Sequence, residues 1–306
     1  MNEELNLADH FRCGYVAIIG EPNVGKSTLM NALLQQKISI VTPKAQTTRH
    51  KIFGILSTRE YQMIFLDTPG IIKPKYLLQE VMMEFASSAI QDADALVFMI
   101  DATRPNIDQD LTHDDAFSRL KGLKTPVFLV INKIDAIEKQ NILPIIDFYS
   151  KAFPFKDIFP ISALKHEGTQ DLVTTLVKLL PEHPPMYPTD IVSEHSERFF
   201  VSEIIREKIF FATKEEIPYS TTVDIVEFKE REVGKTFISA DIYVERDSQK
   251  GILIGKKGEM LKEIGAKARK EIEKFLHKPV FLELHVKVQK EWRGNAAALS
   301  RLGYKL

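Results

Sequence analysis

Residues Gly20 to Ser27 read Gly-Glu-Pro-Asn-Val-Gly-Lys-Ser. The residues before them, Tyr15-Val16-Ala17-Ile18-Ile19, have the apolar, β-branched character of a buried parallel strand, and Ser27 to Leu34 has the apolar spacing of a helix. A strand that passes through glycines into a helix aims successive backbone N–H groups at an anion, at the positive end of the helix dipole. That junction commits the N-terminal part of the chain to an α/β sheet with its ligand at the carboxyl ends of the strands. Gly20, Glu21, Pro22, Asn23, Val24, Gly25, Lys26, Ser27 and Thr28 are therefore expected to wrap a phosphate chain. Lys26 reaches the terminal phosphates, and the Ser27 hydroxyl ligates Mg²⁺.

The pattern downstream agrees. Apolar runs recur at 61–66, 95–100, 127–131 and 158–161, each followed by a polar loop and a helix-like stretch such as 108–121 or 168–180. This alternation predicts a doubly wound P-loop domain over residues 1–185. Pro181, Pro184, Pro185 and Pro188 fall within eight residues, end the preceding helix and predict a stiff linker, with 186–195 joining two domains. From 196 the pattern changes to α-β-β-α-α-β: a helix over 196–213, strands over 221–228 and 236–244, then the stretch 251–258, a helix from 259 to 277 and a strand over 280–288. The fold expected is α/β followed by α+β.

A phosphate loop does not by itself choose a base. Asn132-Lys133-Ile134-Asp135 follows the run at 127–131 directly. A carboxylate at Asp135 accepts both the N1–H and the exocyclic amino hydrogens of guanine, a donor pair that adenine lacks. Asn132 and the Lys133 stem brace the loop and cover the base, while Ser162, Ala163 and Leu164 offer a backbone N–H to the guanine carbonyl. Asp67, at a strand end and followed by Thr68, Pro69 and Gly70, is placed to hold Mg²⁺ through water, with the Gly70 N–H on the γ-phosphate. In the polar stretch 44–49, Thr48 rather than Thr47 is expected to complete the Mg²⁺ shell. Lys26, Thr48 and Gly70 are thus the expected catalytic set. Ile71 stands where many GTPases carry a water-orienting Gln, which predicts slow intrinsic hydrolysis. Asn23 either binds a monovalent cation such as K⁺ beside the phosphates or stabilises the turn.

In the C-terminal part, Ile254-Gly255-Lys256-Lys257-Gly258 precedes a basic amphipathic helix. Two glycines allow close approach of a nucleic-acid backbone, the lysines supply charge, and Ile252, Leu253, Ile254, Leu261 and Ile264 are expected to form a groove for unstacked bases. Trp292 and Arg293 are candidates for stacking on RNA, or for packing the tail on the domain. Charge follows the same division. From Gly234 onward sixteen Lys and Arg face nine Asp and Glu, against 25 and 33 in the rest of the chain, although the overall net charge is −1. A single cysteine, Cys13, excludes an intramolecular disulfide, and no apolar run reaches the length of a membrane span. The acidic start of the chain and the early first strand carry the expectation of no secretory signal.

The motifs at 20–27, 44–50 (Lys-Ala-Gln-Thr-Thr-Arg-His), 67–70, 132–135, 162–164 and 255–258, with Trp292-Arg293 and Leu299 to Tyr304, together resemble the Era family of bacterial GTPases over essentially the whole chain. The resemblance implies a type II KH domain over 196–306 and a Mg²⁺-dependent GTPase. It also implies binding near the 3′ end of small-subunit (16S) ribosomal RNA, a role as a GTP-dependent switch in 30S subunit assembly, and a cytoplasmic monomer with peripheral inner-membrane association and no DNA partner. The alternatives are a nucleotide-gated RNA clamp that hardly turns over and a membrane or cell-cycle signalling GTPase whose KH domain is a docking platform.

Overall fold

The computed structural model describes residues 10–107, 114–231 and 234–305, together with 8 and 111. The chain divides into two units. One takes in the described residues up to Ser39, Thr48–Pro74 and Met82–Glu194; the other takes in Ile40–Thr47, Lys75–Val81 and the residues from His195 onward.

The first unit is built on a sheet of order β2-β3-β1-β4-β5-β6 among the described residues. Its strands are β1 (Arg12–Gly20), β2 (Ile52–Ser57), β3 (Tyr61–Asp67), β4 (Ala95–Asp101), β5 (Val127–Asn132) and β6 (Ile158–Ile161). All neighbours are parallel except the β2–β3 pair. Val16 to Ile19 and Phe128 to Ile131 are fully buried, which is why these runs are continuously apolar rather than alternating. β1 lies between β3 and β4, so the chain reverses direction of winding at its carboxyl end. A crevice opens there, above the loop that leads into α1 (Lys26–Leu34). The helices α2 (Leu77–Asp92), α4 (Ile142–Ala152) and α5 (Thr169–Val177) complete the crossovers.

Three local features differ from the sequence expectation. The edge strand β2 has no counterpart in it. The helix expected over 108–121 is α3 (Asp115–Ser118) where it can be followed, with Asp114 capping Ala116 N and Phe117 N; 108–110 and 112–113 lie outside the described residues. The proline-rich stretch is also no free spacer. Cys13 N donates to Pro181 O and His183 N to Phe11 O, while Ile55 N donates to Val192 O. The Ser193 hydroxyl donates to Phe53 O. Buried Gln62 accepts from Met186 N and Tyr187 N through Oε1 and donates to Tyr187 O through Nε2. The segment is strapped across the starts of β1 and β3 and along the edge strand β2.

The second unit carries the sheet β7-β8-β9, made of β7 (Thr222–Lys229), β8 (Thr236–Val244) and β9 (Val280–Val288), with β8 antiparallel to β7 and parallel to β9. The helices are α6 (Glu197–Ala212), α7 (Ile217–Ser220), α8 (Asp247–Ile254), α9 (Glu259–Leu276) and α10 (Ala296–Arg301). Ile205 and Ile209 of α6 and Ala268 and Ile272 of α9 close one core with Ile238, Ala240 and Ile242 of β8. Ile40–Thr47 is fastened to α6. The Lys44 ammonium donates to Phe210 O and Thr213 O at the end of that helix, and buried Arg206, paired with Glu203, donates to Thr47 O. Among the described residues no helix is long and apolar enough to cross a membrane.

Candidate nucleotide site and nucleic-acid groove

Gly25 precedes α1 with φ 105°, and a Cβ there would lie 2.3 Å from Asn132 Nδ2. Only glycine fits, for both backbone and steric reasons. The phosphate loop is closed by side chains from the other predicted motifs. Asn132 Nδ2 donates to Val24 O (2.8 Å), and Asn132 Oδ1 accepts from Ala163 N (3.0 Å). One buried amide thus joins three sequence-distant loops. Ser162 exchanges backbone hydrogen bonds with Glu167, and Leu164 is largely exposed beside it. Asp135 sits in the short turn Ile134–Ala136 that follows Lys133, with Lys165 Nζ 3.9 Å away. The Asp67–Gly70 segment packs against the same loop. The Thr68 hydroxyl donates to Ile18 O, Ile71 N donates to Gly20 O, and a Cβ on Gly70 would strike the Pro22 backbone at 2.7 Å. Ile71 itself is buried, and its alkyl side chain offers no group to hold a water.

The buried Lys26 ammonium donates to Gly20 O (3.1 Å) and Glu21 O (2.8 Å), and burial pushes its pKa down to about 8. Opposite it, Asp67 is fully buried; burial pushes its carboxyl above the usual range, against hydrogen bonds from Ser27 and Ser39. Ser27 Oγ lies 2.7 Å from Asp67 Oδ2 and 2.9 Å from Thr48 Oγ1. Asp67 Oδ1 is buried and accepts no hydrogen bond among the described residues. A cluster of hydroxyl and carboxylate oxygens with one unsatisfied buried oxygen is the donor set of a hard divalent cation. Ser27, Thr48 and Asp67 fit Mg²⁺. Thr47 points elsewhere, its hydroxyl bonded to Thr42 Oγ1 and Lys44 O.

Two participants are absent from the sequence reading. Ser39 donates to Asp67 Oδ2 (3.0 Å), held there because Asn31 caps its backbone. Asp101, at the end of β4, takes the Lys133 ammonium. The only signal for Asp101 was an acidic residue closing an apolar run.

In the second unit Gly255 ends α8 with φ 72° and Gly258 opens α9 with φ 82°, and Lys256 and Lys257 lie exposed between them. Beside this turn runs a groove of about 540 Å³ between α9 and β9, lined by Leu261, Lys262, Gly265, Arg269, Leu282 and Leu284. This corrects the expected lining in part. Leu253 and Ile264 are core residues, Ile254 packs against that core, and Gly265 and the leucines of β9 take their place. Trp292 is also corrected as a stacking candidate. It is fully buried, its indole N–H donates to Ser220 O (2.9 Å), and it stacks on Tyr304, so it packs the tail on the domain. Arg293 is tied to Glu216 and Glu245 and covers the Tyr76 ring.

Fold and site together define a P-loop protein with the guanine-type base motif, followed by a type II KH domain. A family model described as a 50S ribosome-binding GTPase matches residues 15–133, and a KH-domain model matches 216–293. GTPase Era of Lacticaseibacillus paracasei is 48% identical over 300 residues, covering 97% of this chain and 98% of that relative. GTPase Era of Geotalea daltonii is 47% identical over 295 residues, covering 96% and 98%. A crystal structure of Era in complex with MgGDPNP and nucleotides 1506–1542 of 16S ribosomal RNA matches with TM-score 0.92 at 45% identity, over 97% of this chain and all of that one. A variant of Aquifex aeolicus Era bound to GDP and AlF4⁻ matches with TM-score 0.90 at 44% identity, over 96% of this chain and all of that one. The chain belongs to the Era family of GTPases.

Proposed function

We propose that this protein hydrolyses GTP and binds single-stranded RNA near the 3′ end of 16S ribosomal RNA, as a nucleotide-dependent switch in 30S subunit assembly. The observation that carries the reading is the coexistence in one chain of the Ser27–Thr48–Asp67 oxygen cluster and the α9–β9 groove beside Lys256 and Lys257. It is supported by similarity to an Era structure that holds MgGDPNP and nucleotides 1506–1542 of 16S ribosomal RNA. Mg²⁺ held at the cluster would neutralise charge on the transferring phosphoryl group. Lys26 would exchange its two loop carbonyls for phosphate oxygens, and the Gly70 N–H would face the γ-phosphate. With Ile71 buried and apolar, no side chain at that position orients water, so turnover is slow until RNA or another partner completes the site.

Ile40–Thr47 belongs to the unit that carries the RNA groove, while Thr48 lies in the unit that carries the nucleotide site. K⁺ at Asn23 and peripheral association with the inner membrane complete the expected behaviour. The test is the GTP hydrolysis rate with and without an RNA copying that 3′ segment, in K⁺ and in Na⁺. RNA stimulation abolished by Lys256→Glu with Lys257→Glu supports the switch; tight RNA binding without stimulation supports the clamp.

A further inference from the structure

We propose that Asp101 is a positioning residue for guanine-nucleotide binding, holding Lys133 so that its stem spans the base site and its ammonium ties the base loop to the phosphate loop. The inference rests on the guanine-nucleotide reading of the site. The sheet dictates the placement. Asp101 pairs with Asn132 in the β4–β5 register, and Ala102 N donates to Asn132 O at 2.8 Å, so a carboxylate stands beside the base motif. Its two oxygens divide their work. Oδ1 accepts from Thr103 N (2.9 Å) and Thr103 Oγ1 (2.7 Å), an ordinary turn, while Oδ2 accepts from Lys133 Nζ (2.5 Å). The same ammonium donates to Asn23 O at 2.8 Å.

Lys133 has φ 68° and Asn23 has φ 65°, left-handed conformations that Asn tolerates readily and that Lys adopts at a cost which its surroundings must offset. The Asp101–Lys133–Asn23 chain joins both residues. A lysine is a flexible stem with a strongly hydrated head, and this one is about a third exposed; left with one neutral carbonyl it returns to water. The stem then leaves the base site, and Asn23 loses its tether in the phosphate loop. Among the described residues no hydrogen bond joins Asp101 to Ser27, Thr48 or Asp67, so its loss changes how long nucleotide stays rather than how fast it is cleaved.

The test is dissociation of a fluorescent N-methylanthraniloyl-GDP from the full-length protein, chased with excess GDP. Asp101→Ala should release it about tenfold faster, as expected for loss of a charge-assisted hydrogen bond, and should raise the KM for GTP while leaving kcat within about twofold. Asp101→Asn, nearly isosteric and still an acceptor, should recover part of the retention and guards against a folding defect. Thr103→Ala, which removes a turn partner but leaves the carboxylate, should stay within about twofold of wild type. In the Lys133→Ala background the Asp101 substitution should add nothing. Additive effects, or a Thr103→Ala defect as large as that of Asp101→Ala, would overturn the proposal. Failure of the wild type to retain the analogue would remove the guanine-nucleotide reading with it; wild-type retention with unchanged release from Asp101→Ala would remove this inference alone.

Discussion

Gly265 stands in the middle of α9, where glycine costs a helix up to about 1 kcal/mol relative to alanine. Its missing side chain is what opens the groove, since a Cβ there would already press on Leu284 Cδ1 at 3.3 Å. Gly265→Leu is expected to fill the groove and weaken single-stranded RNA at least about tenfold, while GDP retention stays unchanged. Fluorescence anisotropy with the 3′ ribosomal segment, beside a nucleotide-release assay, checks both halves. Asp101 gives a pH signature at the same scale. Burial pushes its carboxyl up, but hydrogen bonds from Lys133 and Thr103 outweigh this and hold it below the ordinary value of 3.8. A carboxyl whose folded pKa is depressed stabilises the fold above its unfolded pKa, and loses that contribution as pH falls through the folded one. The stability gap between wild type and Asp101→Asn should therefore be full at pH 5 to 6 and shrink as pH drops below about 4. Urea denaturation across that range reads it, and a gap that widens in acid would contradict the assignment.

Among elements, the strap at 181–193 shows how a proline-rich segment can be structural. Its stiffness is legible in the sequence, but its docking is not. Docking depends on Gln62, a polar residue near the start of β3, whose fully buried amide meets Met186 and Tyr187 from more than 120 positions away. Gln62→Leu would leave those backbone groups unpaired and is expected to cost about 2–4 kcal/mol in urea denaturation. It should also make 185–193 a new site of limited proteolysis, read by mass spectrometry. The same logic accounts for β2 and Trp292. A six-residue run such as Ile52–Ser57 is ambiguous alone, and pairing with β3 makes it a strand. An aromatic near a basic tail suits RNA equally well until Ser220 O and Tyr304 claim it.

For the whole molecule, the charge division bears on binding. Lys256 and Lys257 are exposed at the turn beside the groove, in the part of the chain where basic residues outnumber acidic ones. Each phosphate contact on a single strand contributes about 0.7 to the slope of log affinity against log salt. Lys256→Glu with Lys257→Glu should therefore flatten that slope by at least about 1.4, measured as RNA affinity across a salt series. An unchanged slope would mean that these lysines do not meet phosphate.

The motifs that the fold brings together at the candidate nucleotide site are legible in the sequence, because local chemistry sets them. Glycines beside a strand end, a lysine and a serine at a helix start, and an Asn-x-x-Asp after an apolar run each keep their meaning wherever they fold. The order of elements in the KH domain was legible for the same reason, since periods of 2 and 3.6 residues are local properties. What the tertiary structure alone decided are the meetings between distant positions: Asp101 with Lys133, Ser39 with Asp67, Gln62 with the strap, and Gly265 rather than Ile264 in the groove. No short-range pattern encodes these, because strand register, helix phase and burial are settled by the packing of the whole chain.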